Sequence, residues 1–422
     1  MKSVQRFASI LLLTFIWIPC HAQFANVVPE AVGLSSERLK RIDHKVLNAI
    51  EQDQLAGAIS VIVKNGRAVH FKPYGMMDRE NNTPMPKDAI FRIASMSKAV
   101  TSVGVMLLYE EGHFLLNDPV HKFIPAFRNP QVAVPPADDA PERVQYATVD
   151  AKREITIRHL LTHTAGLTYG SGLAEQAYKE ADLQGWYFAD KDETIGQCIE
   201  RLATLPLHGH PGEAWQYGYS TDVLGYFIER VSGLPLDRFF SERIFKPLNM
   251  KDSYFFLPRE KAERLAPVYG FDDQGNLKLM ESNTDTDYLH GPRKCFSGGA
   301  GLLSTATDYA RFLQMLLNGG ELEGIRLLSP HTVKLMHVNH VGDKYQSGDR
   351  GFGLGFWVLQ DLGRYGEVGS IDSYGWGSAY YPLYWVDPRE NMIALFMTQL
   401  MPAKSQSLKR EYQNMVYHAM IK

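Results

Sequence analysis

The chain has 422 residues, of which 45% are hydrophobic, 22% charged and 11% aromatic, and its formal net charge is −3. That length supplies a large core and suggests two domains, or one domain with a substantial insertion. No basic stripe, long charge run, internal repeat or low-complexity tract stands out. The usual signatures of nucleic-acid and anionic-membrane binding are therefore missing.

In chain order, Met1 to Arg6 form a short basic head and 7–18 an apolar core. Pro19-Cys20-His21-Ala22 then offers small residues at the third and first positions before a cut following Ala22. This reads as a secretory signal peptide over 1–22, too short to span a bilayer, and implies export to the periplasm or medium. A lipid anchor on Cys20 is the competing reading, and Pro19 fits it poorly. Cys198 and Cys295 could pair in an oxidising compartment, but they read as two unpaired thiols because sequence alone does not bring them close. No other stretch is apolar for long enough to suggest a membrane span.

The next element is a helix beginning at Ser35-Ser36-Glu37, with apolar residues recurring at Ile42, Val46 and Ile50. Two β-branched runs, 57–64 and 67–71, flank Asn65-Gly66 and predict a hairpin. After it comes a turn, 91–94, that feeds a largely apolar helix ending at Gly112. The middle of the chain reads as mostly helical with long loops, with helices near 156–163, 193–204, 220–232 and 235–245. A helix near 305–317 leads to strands at 352–360, 379–386 and 392–398, and an amphipathic helix at 406–420 closes the chain. Strands at both ends with helices between them predict an α/β (α+β) fold: an antiparallel sheet flanked by helices, built from both chain ends, with a helical insertion. The corresponding division is 23–110 with 290–422 for the sheet domain and 111–289 for the helical one.

The helix after the turn is apolar around most of its circumference, which places it inside the protein. Its first turn carries Ser95 and, three residues later, Lys98, so the two side chains rise from one face. A serine hydroxyl needs an adjacent base to attack a carbonyl at neutral pH, and a desolvated lysine kept neutral is one such base. Further along, Trp215-Gln216-Tyr217 precedes a helix, and a tyrosine at such a turn is a candidate proton shuttle. In a third stretch, 369–379, glycines lie at the start of a predicted strand, where a backbone N–H can meet a substrate.

Together, in this order, these stretches resemble the serine hydrolases related to penicillin-binding proteins and class C β-lactamases, and most of all the family VIII carboxylesterases. The resemblance rests on Phe91-Arg92-Ile93-Ala94-Ser95-Met96-Ser97-Lys98, Leu160-Leu161-Thr162-His163-Thr164-Ala165-Gly166-Leu167 and Trp215-Gln216-Tyr217 with Asp222-Val223-Leu224-Gly225. Ser297-Gly298-Gly299-Ala300-Gly301-Leu302 and Gly375-Trp376-Gly377 with Trp385-Val386-Asp387-Pro388 complete it. It implies a β-lactamase/transpeptidase-like fold in which Ser95 is acylated, Lys98 is its base partner and Tyr217, rather than Tyr219, shuttles the proton. It also implies that Trp376, Gly377 and Ser378 form the third box, with the N–H groups of Ser95 and Ala379 as oxyanion donors. Trp376 stands where β-lactam-directed relatives usually carry a lysine, which favours small esters over β-lactams or D-Ala peptides. Tyr380, Tyr381 and Pro382 are expected to narrow the acyl pocket.

His163 reads as a hydrogen-bonded structural residue, because a Ser-His-Asp triad would leave Lys98 and Tyr217 without purpose. His208 and His210 lack the partners of a zinc set, so neither a metal nor an organic cofactor is expected. The function expected is an exported serine hydrolase acting on a small-molecule ester or amide. A β-lactamase or D-Ala-directed peptidase or amidase, and a silent binding protein of the same fold, are the alternatives.

Overall fold

The computed structural model describes residues 24, 26–141, 145–345 and 348–422. The expected signal peptide lies outside the described residues. Helix α1 (Ser36–Glu51) starts as the sequence suggests, with the Ser35 side chain accepting from the Arg38 N–H. The hairpin follows as β1 (Gly57–Lys64) and β2 (Arg67–Asp78), and β3 (Thr83–Pro84) continues the meander. A short strand, Ile90–Arg92, leads into a 3-10 turn, Ala94–Met96, and then into helix α2 (Ser97–Glu110). Ser95 therefore sits on the 3-10 turn ahead of the α-helix, one step earlier than the sequence suggests.

In the middle of the chain, helices α3 (Ile195–Leu202) and α4 (Ser220–Ser232) fall where expected. The helix near 235–245 is a turn of α-helix, Leu236–Phe240, running into a π-helix, Ser241–Phe245. Two hairpins escape the sequence reading: Gln131–Val134 with Ala147–Asp150, and Val268–Phe271 with Leu277–Glu281. The second packs on the sheet side, where Tyr269 joins the core beneath α1. Helix α5 (Ala306–Leu317) precedes the last strands, β4 (Arg350–Phe352), β5 (Trp357–Leu359), β6 (Tyr374–Gly377), β7 (Leu383–Asp387) and β8 (Met392–Met397). The single strand expected at 352–360 is thus a tight hairpin, turned at Gly353 to Phe356 with the Gly353 N–H bonded to the Phe356 carbonyl. Helix α6 (Ser407–His418) ends the chain.

Strands β1 to β8 form one antiparallel sheet in the order β4-β5-β6-β7-β8-β1-β2-β3. The two chain ends meet at its centre, where Ile59 pairs with Met397 and Lys64 with Met392. Every residue of β1 and β8 is buried, because helices cover both faces. Ile59, Val61, Val63, Ile393 and Leu395 face the core shared with α2 and α5. Ala58, Ile62, Ala394 and Phe396 face α1 and α6.

Residues Ser97 to Leu108 of α2 are all buried, as its apolar circumference requires. At Gly104, a Cβ would stand 3.0 Å from Ile228 of α4, so glycine lets the two helices pack closely. Among the described residues no helix is long and apolar enough to cross a membrane.

Candidate active site

The turn that carries Ser95 is held from all sides. Arg92, just before it, is wholly buried; its guanidinium donates to the Ala266 carbonyl (2.8 Å) and to Glu281 (2.7 Å). The Gln399 amide grips the backbone of Arg92 at both ends, accepting from its N–H and donating to its carbonyl, each at 3.0 Å. Beyond the turn, Ser97 Oγ accepts from the Leu302 N–H and the Tyr309 hydroxyl donates to the Met96 carbonyl. Ala94 is driven to φ 36°, in the left-handed region that costs a residue with a Cβ about 1–2 kcal/mol. Ser95 itself is half-buried, while its neighbours on both sides are sealed. Strain held by packing around one accessible hydroxyl is characteristic of a functional turn.

Lys98 is 2% exposed and lies at the centre of a polar web. Its Nζ donates to the Gly299 carbonyl at 2.7 Å and to the Tyr169 hydroxyl at 3.0 Å. The same atom stands 4.7 Å from the centre of the Tyr217 ring. Gly299 faces the other way as well, since its N–H donates to Asp222 at 3.0 Å. The Ser297 hydroxyl gives Asp222 a second bond, at 2.5 Å. Burial raises the Asp222 carboxyl above its ordinary range, while Lys98 and these two hydrogen bonds pull the other way. The peptide of Gly299 thus joins a buried carboxylate to the buried amine. A Cβ on Gly299 would fall 2.4 Å from Asp222, so this approach requires glycine.

Tyr217 projects from the loop before α4 into a cage of rings. His163 (4.9 Å), Trp376 (5.5 Å), Tyr169 (5.6 Å) and Trp215 (5.9 Å) surround it. Trp376 Nε1 donates to the Tyr217 hydroxyl at 3.3 Å. The loop is pinned by the Gln216 N–H on the His163 carbonyl (2.7 Å), and by Gly218, where a Cβ would collide with the Thr168 backbone at 2.4 Å. Tyr219 is engaged elsewhere, donating its hydroxyl to the Gly185 carbonyl at 2.6 Å.

His163 is buried at φ 53°, and its Nε2 lies 3.5 Å from Thr221 Oγ1. Burial first, and Lys98 second, hold its imidazole well below the usual histidine range. It serves as a neutral wall of the cage.

The third box lies inside strand β6, rather than at the start of the strand that follows. This strand packs against the Ala94–Met96 turn, and from it Trp376 reaches the Tyr217 hydroxyl. The chain then turns tightly: Ser378 donates its N–H to the Pro382 carbonyl, and Tyr381 donates to the Ser378 carbonyl. Ala379, at the exposed crest, and Ser95 both have backbone N–H groups with no partner among the described residues. Tyr380 is buried beside Ala94 and Ala300, behind the Ser95 turn. Tyr381 turns instead into the core under α1 and α6, so it does not narrow the pocket as its position in sequence suggests.

The structure therefore gathers Lys98, Tyr217 and Trp376, with the strand that carries Trp376 and Gly377 packed against the Ala94–Met96 turn. The Ser95 hydroxyl makes no hydrogen bond to Lys98 or Tyr217. Such bonds are often open until a substrate carbonyl draws the groups together. Tyr169 and the carbonyl of Gly299 are the partners the sequence reading missed. No group of three His, Cys, Asp or Glu side chains is placed to hold a metal ion among the described residues.

Comparison with known proteins gives the family and the fold. The beta-lactamase family model matches residues 42–416. Protein Rv1367c of Mycobacterium tuberculosis (strain ATCC 25618 / H37Rv) is 34% identical over 363 residues, covering 82% of this chain and 86% of its own. Esterase EstB of Burkholderia gladioli is 30% identical over 397 residues, covering 89% and 94%. Among solved structures, EstCE1, described as a hydrolase with promiscuous acyltransferase activity, superimposes with a TM-score of 0.77 at 27% identity, covering 90% of this chain and 98% of its own. The chain belongs to the beta-lactamase family, and its relatives there include esterases.

Proposed function

We propose that this protein is a serine hydrolase that cleaves small carboxylic esters through an acyl-enzyme on Ser95. The observation that carries this reading is the convergence of Lys98 Nζ on the Tyr217 ring beside the Ser95 turn, with a tryptophan at the third box. In the first step the Ser95 oxygen attacks the ester carbonyl, and its proton passes to the Lys98–Tyr217 pair. The N–H groups of Ser95 and Ala379 receive the oxyanion; one such donor is typically worth about 3–4 kcal/mol of barrier. The tetrahedral adduct collapses, and the leaving alcohol takes the proton from Tyr217. Water then attacks the acyl-enzyme by the same route and releases the acid.

Trp376 supplies no charge to meet a substrate carboxylate, and its indole N–H is already given to Tyr217. This supports neutral esters over β-lactams and D-Ala peptides. The relatives named as esterases point the same way. Intact-mass spectrometry after exposure to p-nitrophenyl butyrate, nitrocefin and D-alanine amides tests the reading. Acylation at Ser95 with ester turnover well above nitrocefin turnover is expected, and equal turnover by Ser95→Ala overturns it. The sequence of 1–22 supports export; a mature chain beginning at Gln23 is the expected result of N-terminal sequencing.

A further inference from the structure

Cys198 and Cys295 have no part in the chemistry above, yet the fold brings them together across 97 residues of chain. Cys198 lies on α3 and is fully enclosed, and Cys295 follows the short helix Asp287–His290. Their Sγ atoms stand 3.9 Å apart, as free thiols in contact. Two residues beyond Cys295 begins the segment that holds the catalytic amine. Ser297 and the Gly299 N–H bind Asp222, the Gly298 carbonyl accepts from Thr101, and the Gly299 carbonyl accepts from Lys98. The segment is thus anchored at one end by a sulfur contact and at the other by the site itself.

We propose that this pair is a disulfide site: in the presence of a disulfide oxidant, Cys198 and Cys295 join and staple α3 to the segment that holds Lys98. The inference is independent of which substrate the enzyme takes. It departs from the expectation of two unpaired thiols, which rested on the sequence being unable to place them close. A disulfide spans about 2.05 Å between sulfurs, so bonding needs an approach of roughly 2 Å.

The exchange balances in two steps. One cysteine thiolate attacks a sulfur of the oxidant, forming a mixed disulfide and releasing one thiol. The second cysteine thiolate attacks the protein sulfur of that mixed disulfide and expels the second thiol. Two electrons pass to the oxidant, and the two cysteine protons end on the released thiols. The contact with Cys198 first, and burial second, push the Cys295 thiol well above the usual range, which slows exchange in the folded protein and makes refolding the condition to test.

The test is to refold the full chain with oxidised glutathione, alkylate it, and map it without reduction. A peptide linking Cys198 to Cys295, with a mass loss of about 2 Da, is expected. The unfolding midpoint should rise by about 5 °C over the protein refolded under dithiothreitol, and reduction should reverse the rise. The Cys198→Ser/Cys295→Ser double variant should show no difference between the two conditions. Two alkylated thiols after oxidative refolding, a bridge to Cys20 instead, or a bridged form with no gain in midpoint would each overturn the proposal.

Discussion

The two faces of the central sheet are both closed by helices and both contain buried polar groups, but they treat those groups differently. On the outer face, under α1 and α6, three contacts tie polar side chains to one another, while the buried Trp385 indole N–H stays without a partner among the described residues. Ser60 bonds the Tyr412 hydroxyl (2.8 Å), Tyr74 donates to Asp43 (2.6 Å), and His70 meets the Tyr74 hydroxyl (2.8 Å). On the inner face, Lys98 is buried against a carbonyl and two tyrosines, the N–H groups of Ser95 and Ala379 face no acceptor, and Ala94 and His163 hold left-handed backbone. A closed network adds rigidity, whereas donors left open by a rigid frame are what a reaction can use. What sets the inner face apart is that its open backbone donors and left-handed residues stand beside a buried amine.

The contrast can be broken most decisively at Ser95. Ser95→Ala should lower kcat for p-nitrophenyl butyrate by about 10⁴-fold or more while the thermal midpoint stays within a degree or two. Tyr217→Phe keeps the ring cage but removes the hydroxyl, and kcat should fall by about 10²–10³-fold with KM little changed. A loss below tenfold would remove Tyr217 from proton transfer.

Gln399→Leu sharpens the comparison from the frame. It leaves both ends of the Arg92 backbone without their partner and should cost about 2 kcal/mol of stability by denaturant unfolding. The smallest effect on turnover belongs to the outer face. His70→Gln should leave kcat unchanged but alter how stability depends on pH. Burial lowers the His70 imidazole to about 4, so the folded ring stays neutral where the unfolded one takes up a proton. Its contribution is complete above about pH 6.5 and is lost as pH falls toward 4, with a ceiling of about 3 kcal/mol. The variant should show a flatter acid limb in urea titrations; an unchanged limb would mean that His70 does not carry it.

Much of this arrangement was legible beforehand because it is local. Ser95 and Lys98 are three residues apart, Asn65-Gly66 turns its own hairpin, and the apolar circumference of α2 announces a buried helix without reference to any partner. The split of 350–359 into two strands was missed because a short apolar run has the same appearance straight or folded. The fate of Tyr381 was missed because a left-handed turn at φ 80° reverses the face its side chain meets.

The sequence by itself determined the chemical inventory and the periodic elements, since both depend on residue type and near-neighbour spacing. It also held the ordered motifs that mark the family. Only the tertiary structure decided which groups surround the buried Lys98 amine: the Tyr169 hydroxyl 71 residues away and the Gly299 carbonyl 201 residues away. Such partners are chosen by how helices and sheet close-pack, and a hydrogen bond forms or fails over a few tenths of an ångström that no one-dimensional pattern encodes.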